Sequence, residues 1–254
     1  MSIFSQVSEK VWETLGLCLI HNINFGEETI SDLILLEIER NNPGYIRTFQ
    51  TSKADEKNKG TDWEWWIGDI SSGWARYAVQ AKKIDKKGKN YNALAHKVGK
   101  AKKYQHDILK QYCVANNAIG LYAFYNFHMA NPQSHHWHCT QNYDDKRLGV
   151  TITPIKNVIS SINTKGSRNF NSLHSHKDTL PLHCLLECLS APNGNVDDRS
   201  FKTHKHFDVP RKHAGKDISE ILEGIINNPN LRNELYDNDV GLPAKILVID
   251  TKRK

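Results

Sequence analysis

Two short segments decide the fold: GTDWEWWI at residues 60–67 and YAVQAKKI at residues 77–84. Both are rich in aromatic and aliphatic residues, which favour β-strands. The intervening GDISSG, at residues 68–73, has the composition of a turn and a length that suits a hairpin connection. We therefore expect a β-hairpin in which the second strand folds back on the first.

Polar side chains interrupt this otherwise apolar hairpin. Because side chains alternate across a strand, Asp62 and Glu64 are expected to share one face of the first strand. Gln80 and Lys82 are expected to share one face of the second strand. The pairing of the strands would then bring two acids to an amide and an amine.

This combination suits metal-assisted cleavage of a phosphodiester bond. Mg²⁺, with Mn²⁺ as a substitute, binds through a few carboxylate and carbonyl oxygens and takes phosphate oxygens as further ligands. Asp62 would supply one such oxygen. Glu64, Gln80 or the backbone carbonyl of Ala81 would supply another. Lys82 would stabilise charge on the phosphate and orient or deprotonate the attacking water.

The pattern GxD, a hairpin turn and then QxK resembles the PD-(D/E)xK nuclease superfamily. It is most similar to the Mrr-like, restriction-endonuclease-like branch, in which glutamine replaces the second acid. The wider string of GTDWEWW, YAVQAKKI and GLYAFYN resembles a bacterial family of Mrr-like proteins linked to defence against foreign DNA. The resemblance covers residues 25–130. It implies a Mg²⁺-dependent endonuclease with Asp62, Gln80 and Lys82 as catalytic residues.

The same resemblance implies the architecture. The fold class would be α/β, a three-layer restriction-endonuclease-like sandwich with a central mixed sheet flanked by helices. Residues 1–130 would form the nuclease core. Residues 131–254 would be an elaboration of the same domain or a small subdomain. A homodimer is also implied, because related enzymes pair in order to cut both strands.

An acidic residue from the first core helix completes the site in the resembled superfamily. Residues 27–40 have the helical pattern, with acids at the start and an Asn-Asn-Pro-Gly stop after it. We assign this role to Glu28, which could also be an exposed acid of the first helical turn. Glu37 is the alternative, because it follows Leu33 and Ile34 at helical spacing.

Hydrophobic periodicity predicts the remaining elements. Helices are expected at residues 6–22, 91–116 with a break near Gly99, and 217–226. Strands are expected at residues 45–50, 118–126 and 244–250. This order is typical of an α/β sandwich. On the 91–116 helix, Gln105 either faces the site or is an exposed polar residue.

Basic residues cluster directly after the hairpin. The net charge is +6, and nine lysines lie between residues 82 and 103, where Asp85 is the one acid. A phosphate backbone would pass along such a strip. The predicted nucleic-acid contacts, with DNA as the expected partner, are Lys83, Lys86, Lys87, Lys89, Lys100 and Lys103. The alternative is a solvated lysine-rich surface.

Length and composition set the outer limits. The 254 residues, 39% hydrophobic and 24% charged, suit one globular domain with an adequate core. No apolar run approaches the length of a membrane span, and residues 1–6 do not resemble a secretory signal. We therefore expect a cytoplasmic protein without a membrane partner. The five cysteines, an odd number, are expected to be free thiols.

Histidine and cysteine recur in the second half, at residues 135–139 (HHWHC) and 183–188 (HCLLEC). Imidazole and thiolate are the ligands that zinc prefers. Zinc is nevertheless disfavoured, because a structural site usually shows a tighter CxxC or HxxxH pair in each half. Cys184 and Cys188, four residues apart, are better explained as apolar core.

Two other functions remain open at this stage. The fold could serve as a nucleic-acid- or partner-binding module in which the polar set is structural and the tryptophans are packing. It could also be an RNA-cleaving, toxin-like enzyme that uses the same residues. No motif in the sequence separates DNA from RNA as the substrate.

Overall fold

A mixed β-sheet forms the centre of the computed structural model, which describes residues 2–42, 44–51, 60–99, 102–128, 134–139, 141–185, 216–228 and 242–252. The strands of the protein are β1 (Ile46–Gln50), β2 (Trp63–Asp69), β3 (Gly73–Lys83), β4 (Lys97–Val98), β5 (Lys103–Tyr104), β6 (Ile119–Tyr125), β7 (Val150–Pro154), β8 (Leu180–Pro181) and β9 (Lys245–Asp250). The α-helices are α1 (Ile3–Ile20), α2 (Glu27–Arg40), α3 (Gln105–Ala115), α4 (Ile155–Asn163), α5 (Phe170–His174) and α6 (Ile218–Asn227). Short 3₁₀ helices span Asn92–Ala95, Ser134–His136, Asp145–Gly149 and Leu182–Leu185.

Seven of these strands form one sheet in the order β1-β9-β2-β3-β6-β7-β8. The pairs β9–β2 and β3–β6 are parallel, and the other neighbours are antiparallel. The strands β4 and β5 form a separate two-stranded hairpin. The predicted α/β class with a central mixed sheet is confirmed, as are the predicted strands at residues 45–50, 118–126 and 244–250.

Helices cover both faces of the sheet. On one face, α1 and α2 bury residues such as Ile30, Ile34 and Ile38 against Val79 and its neighbours in β3. The opposite face is covered by α3, α4 and α5 over β3 and β6, and by α6 over β2 and β9. Each helix presents one apolar stripe, so each can cover only one face. This arrangement is consistent with a three-layer α/β sandwich.

The second half of the chain completes the sheet. β9 lies between β1 and β2, and β7 and β8 extend the other side beyond β6. Ile246 and Ile249 of β9 are fully buried. A boundary at residue 130 would therefore divide strands that belong to one sheet.

The region predicted as one interrupted helix, residues 91–116, has three parts. A 3₁₀ helix and the β4–β5 hairpin precede α3, which begins at Gln105. Gly99 has a φ of +72°, and its carbonyl accepts a hydrogen bond from the Lys102 N–H at 3.1 Å. The interruption is thus a hairpin instead of a kink, and it places the start of α3 near the end of β3.

Cysteines and hydropathy complete the description of the fold. No disulfide joins the cysteines of the described residues, Cys18, Cys113, Cys139 and Cys184, as predicted; Cys188 lies outside those residues. No helix in the described part of the chain combines the length and apolar character required to cross a bilayer.

Candidate active site

The predicted hairpin is formed by β2 and β3, which pair with Trp63 opposite Val79. Asp62 immediately precedes β2, and its N–H donates to the Val79 carbonyl at 3.0 Å. Trp63, Trp65 and Trp66 are all buried, so the tryptophans of the hairpin are packing residues. The open end of the hairpin therefore places Asp62 beside the last residues of β3.

Gly60, two residues before Asp62, lets this loop pack against α3. Its φ is +59°, and a Cβ there would lie 2.9 Å from Cγ2 of Ile108 and 3.0 Å from the Leu109 nitrogen. Both the conformation and the contact favour glycine. The Thr61 hydroxyl also accepts from the Val79 N–H at 3.0 Å. The contacts of Gly60 with α3 and of Thr61 with Val79 therefore fix the position of Asp62 beside β3.

Asp62 and Gln80 form the first contact of the site. The Oδ2 atom of Asp62 accepts hydrogen bonds from Nε2 of Gln80 and, at 2.8 Å, from the N–H of Ala81. Gln80 is 1% exposed, and its Oε1 has no hydrogen-bond partner among the described residues. A buried acceptor without a donor costs about 1–3 kcal/mol. The amide therefore presents an unsatisfied oxygen next to an acid.

Lys82 and Glu27 form the second contact. The Nζ atom of Lys82, a residue only 3% exposed, lies 3.4 Å from Oε2 of Glu27. Glu27 is the first residue of α2, and its Oε1 accepts from the N–H of Lys83 at 3.0 Å. The start of α2 thus brings a second carboxylate to the same end of β3.

The helix acid at this end is Glu27, whereas Glu28 was predicted. Glu28 is exposed on the helix surface. Glu37, the alternative, lies near the other end of α2, where it pairs with Arg40 at 2.6 Å. Helical spacing places Glu27 on the buried side of α2, because Ile30 and Ile34 are buried and follow Glu27 by three and seven residues. Glu28 is rotated by about 100° away from that stripe.

Glu64 lies in a buried network of hydrogen bonds and is paired with an arginine. Its carboxylate is fully buried and accepts from Arg76 Nη2 at 2.9 Å and from the Tyr112 hydroxyl at 2.6 Å. The other oxygen accepts from Nε1 of Trp66 at 2.6 Å. These contacts favour a structural role for Glu64 over the predicted role as a metal ligand. Because side chains alternate along β2, Glu64 points towards α3. Arg76, on the neighbouring strand β3, neutralises the charge of its carboxylate.

Two buried tyrosines of β6 are affected by the charges of these acids. Burial raises the pKa of Tyr125, and the charges of Asp62 and Glu27 raise it further. Burial also raises the pKa of Tyr122, with added contributions from Asp62 and Asp107. The Tyr122 hydroxyl has no hydrogen-bond partner within the described ranges. Tyr125 is thus the tyrosine whose pKa both Asp62 and Glu27 raise.

One family of proteins matches almost the whole chain. The profile of a "Family of unknown function (DUF6615)" matches residues 1–253. The chain belongs to DUF6615. No curated protein shows significant similarity to it. The DUF6615 match includes the hairpin, α2 and β9, so the family spans every element that contributes to the edge described above.

The start of α3 lies at the same edge of this DUF6615 protein. Oε1 of Gln105 is buried and has no hydrogen-bond partner in the described part of the chain. His106 stacks on Tyr104 with ring centroids 5.1 Å apart, and burial lowers its pKa. A helix N-terminus favours anions through its exposed N–H groups. The N–H groups at this end of α3 would favour a negatively charged group, and Asp107 already places one carboxylate in the first turn.

Lysines flank the edge on two sides, in the turn after β3 and in the β4–β5 hairpin. The exposed ones among the predicted contacts are Lys86, Lys87, Lys89 and Lys103. Lys83 is partly buried instead; its Nζ donates to the Phe25 carbonyl at 2.5 Å, and burial lowers its pKa. Lys100 lies outside the described residues. Four of the predicted lysines thus remain accessible to a ligand.

The chemistry of the DUF6615 edge follows from its donor atoms. Asp62, Glu27 and the Gln80 amide offer oxygens, and Lys82 adds one cation to them. Oxygen donors of this kind fit a hard divalent cation such as Mg²⁺ or Mn²⁺. The unpaired Oε1 of Gln80 is the observation on which this fit rests.

Proposed function

We propose that the protein is a Mg²⁺-dependent endonuclease of the PD-(D/E)xK, Mrr-like type. Its substrate would be DNA, and its role would be bacterial defence against foreign DNA. The observation that carries this proposal is the buried Gln80 amide, which is bound to Asp62 through Nε2 while Oε1 lacks a described partner. A purely structural amide is expected to have both ends satisfied.

The residues that would hold the metal come from three elements. Asp62 precedes β2, Gln80 and Ala81 belong to β3, and Glu27 begins α2. Asp62 and Glu27 would supply carboxylates, and Gln80 Oε1 or the Ala81 carbonyl a neutral oxygen. When bound, Mg²⁺ would polarise a phosphate oxygen and lower the pKa of a coordinated water.

Lys82 would act on the phosphate. Its ammonium is buried and is held at 3.4 Å by Glu27, so its direction is fixed before the substrate arrives. A preorganised cation stabilises the negative charge that develops on a phosphate during in-line attack. Lys82 would also orient the attacking water. The role of Glu27 would be to position Lys82 as well as to contribute an oxygen.

The exposed lysines would bind the backbone of the nucleic acid. Lys86, Lys87 and Lys89 lie directly after β3, and Lys103 lies just before α3. Each phosphate contact releases counterions and steepens the salt dependence of binding. We expect substitution of all four lysines by glutamine to weaken binding at every sequence and to reduce the slope against salt.

A cleavage assay tests this proposal. Purified protein would be incubated with plasmid, single-stranded DNA and RNA, with and without Mg²⁺ or Mn²⁺. We expect cleavage of DNA that requires the metal and is lost in Lys82→Ala. Lys156→Ala is the matched control, because Lys156 is an exposed lysine of α4 that pairs with Asp178 at 2.7 Å. RNA cleavage alone would change the substrate class, and no cleavage of any substrate would refute the nuclease proposal.

The second candidate is a binding module without catalysis. One observation favours it: Oδ2 of Asp62 already accepts two hydrogen bonds, and Lys82 already has Glu27 as a partner. Such contacts suit a structural role. This candidate predicts binding that weakens steeply with salt, no metal-dependent cleavage, and a loss of stability in Asp62→Ala.

A further inference from the structure

A cluster of softer ligands lies in the second half of the chain, apart from the proposed nuclease site. Cys139, His183 and Cys184 each place one ligand atom within 4.8 Å of the other two. Sγ of Cys139 lies 3.4 Å from Nε2 of His183. His183 and Cys184 are fully buried, and Cys139 is partly buried.

Tertiary folding brings this cluster together, because its residues come from two segments that are distant in the sequence. Cys139 follows the 3₁₀ helix Ser134–His136, whereas the other two residues belong to the 3₁₀ helix Leu182–Leu185, which follows β8. Cys139 and His183 are 44 residues apart. Each segment alone lacks the paired spacing of a familiar zinc motif, and zinc was disfavoured for that reason.

The geometry of the cluster suits a tetrahedral zinc ion. Zinc binds thiolate at about 2.3 Å and imidazole at about 2.1 Å, so two such ligands lie about 3.6 Å apart on a tetrahedral ion. The 3.4 Å between Cys139 and His183 is close to that separation. The N–H of Gln141 also points to Cys139 Sγ at 3.3 Å. A backbone donor of this kind stabilises a thiolate.

The histidine provides a second, independent indication. His183 is 0% exposed, yet its Nδ1 has no hydrogen-bond partner among the described residues. Its other nitrogen faces Cys139. A histidine that is simply part of an apolar core is expected to have its polar nitrogens satisfied. Coordination through Nε2 would give this buried ring a strong interaction, and Nδ1 would then carry the proton that a metal-bound histidine usually donates to a carbonyl, a carboxylate or water.

We propose that Cys139, His183 and Cys184 form a structural zinc site, with a fourth donor completing the tetrahedron. Burial closes the cluster to substrate, which is typical of structural and not of catalytic zinc. Cys184 also packs in the apolar cluster beneath α1 and α2. The ion would therefore fasten the segment around Cys139 to the core of the sheet. This proposal is independent of the nuclease proposal.

Metal analysis of the full-length, tag-free protein tests the site. Protein expressed in zinc-supplemented medium would be analysed by mass spectrometry of its metal content. We expect about one zinc per chain, and at least a tenfold loss in Cys139→Ser and in Cys184→Ser. Cys113→Ser is the matched control, because Cys113 is a partly buried free thiol on α3. It should retain the zinc of the wild type.

Cobalt substitution tests the site in the wild-type protein, so that its result does not depend on whether the variants fold. Co²⁺ added to the zinc-free protein should produce the absorption of a tetrahedral thiolate site, and zinc should displace it. The proposal would be overturned if the wild-type protein contained no more zinc than the buffer, or if all three cysteine variants contained equal amounts of zinc. A Cys139–Cys184 disulfide found by non-reducing peptide mapping of freshly purified protein would overturn it as well.

Discussion

The two ends of the β2–β3 hairpin carry the same residue type in different environments. At the turn, Asp69 accepts from the N–H groups of Ser71 at 2.9 Å and Ser72 at 2.8 Å, and from the Ser71 hydroxyl at 2.6 Å. At the open end, Asp62 accepts from Gln80, whose own oxygen has no described partner. Asp69 is buried and its neighbours are hydrogen-bonded to it, whereas the half-buried Asp62 lies beside an amide oxygen that has no described partner.

Asp69 illustrates the structural case in full. Burial alone would raise its pKa, but hydrogen bonds from Ser71, Ser72 and Thr251 hold the pKa well below its ordinary value. Thr251 follows β9, and its hydroxyl donates to Asp69 at 2.9 Å. The Asp69 carboxylate therefore links the hairpin turn to the end of the neighbouring strand β9. Both of its oxygens already accept hydrogen bonds.

The largest expected effect separates the two aspartates by activity. Asp62→Asn should reduce Mg²⁺-dependent cleavage on the order of 10³-fold or more, because it removes a charged metal ligand. Asp69→Asn should stay within about threefold of wild type per folded molecule, since Asp69 lies at the opposite end of the hairpin. Initial rates on plasmid, normalised to the folded fraction, measure both. Equal losses in the two variants would contradict the distinction.

The next effect concerns stability and tests whether Glu64 is structural. Arg76→Met should lower the free energy of unfolding by about 3 kcal/mol, because it leaves the buried Glu64 carboxylate without its cation. Urea denaturation gives this value directly. The double variant Glu64→Gln/Arg76→Met should recover part of the loss and should still cleave DNA. Complete loss of cleavage in a folded double variant would return Glu64 to the metal site.

A smaller effect should appear in the pH dependence of stability. At neutral pH, Asp69→Asn should cost about 2 kcal/mol, the scale of hydrogen bonds to a charged group. The folded-state pKa of Asp69 is lowered, so its stabilisation is fully present above the unfolded pKa of about 3.9 and fades as the pH falls below it. Urea titrations at pH 7 and pH 3 should show the gap narrowing. A constant gap would contradict this assignment.

The smallest effect distinguishes two adjacent acids of α2. Glu27→Gln should slow cleavage about tenfold, because Lys82 loses the carboxylate that orients it. Glu28→Gln removes the same charge one residue along and should leave the rate within about twofold. Because both variants remove one charge from the same helix terminus, the ratio of their rates isolates the contribution of Glu27 to the site. A ratio near one would argue against Glu27.

Local patterns predicted much of the fold and one part of the site. The hairpin, α2 and β6 follow from alternation and helical spacing within each segment. Glu27 could also have been found this way, from its spacing to Ile30 and Ile34. The position of Asp62 beside Gln80 follows from strand pairing alone.

The remainder depends on contacts between residues distant in the sequence. The contacts of Glu64 could not be predicted, because its partner Tyr112 belongs to α3, which sequence spacing cannot place over β2. The Cys139–His183 contact joins two segments for the same reason. The position of β9 between β1 and β2 also has no local signal. These features require the packed fold, which periodicity alone does not specify.

The position of β9 between β1 and β2 has a consequence for how the chain folds. Ile46 pairs with Ile249, and Trp63 pairs with Lys245, so the sheet cannot close until residue 250 has left the ribosome. Until then, β1 and β2 have exposed edges in the nascent chain, and long-range pairing of this kind is slow and prone to aggregation. We therefore expect synthesis of the intact protein to depend on chaperones that shield these edges.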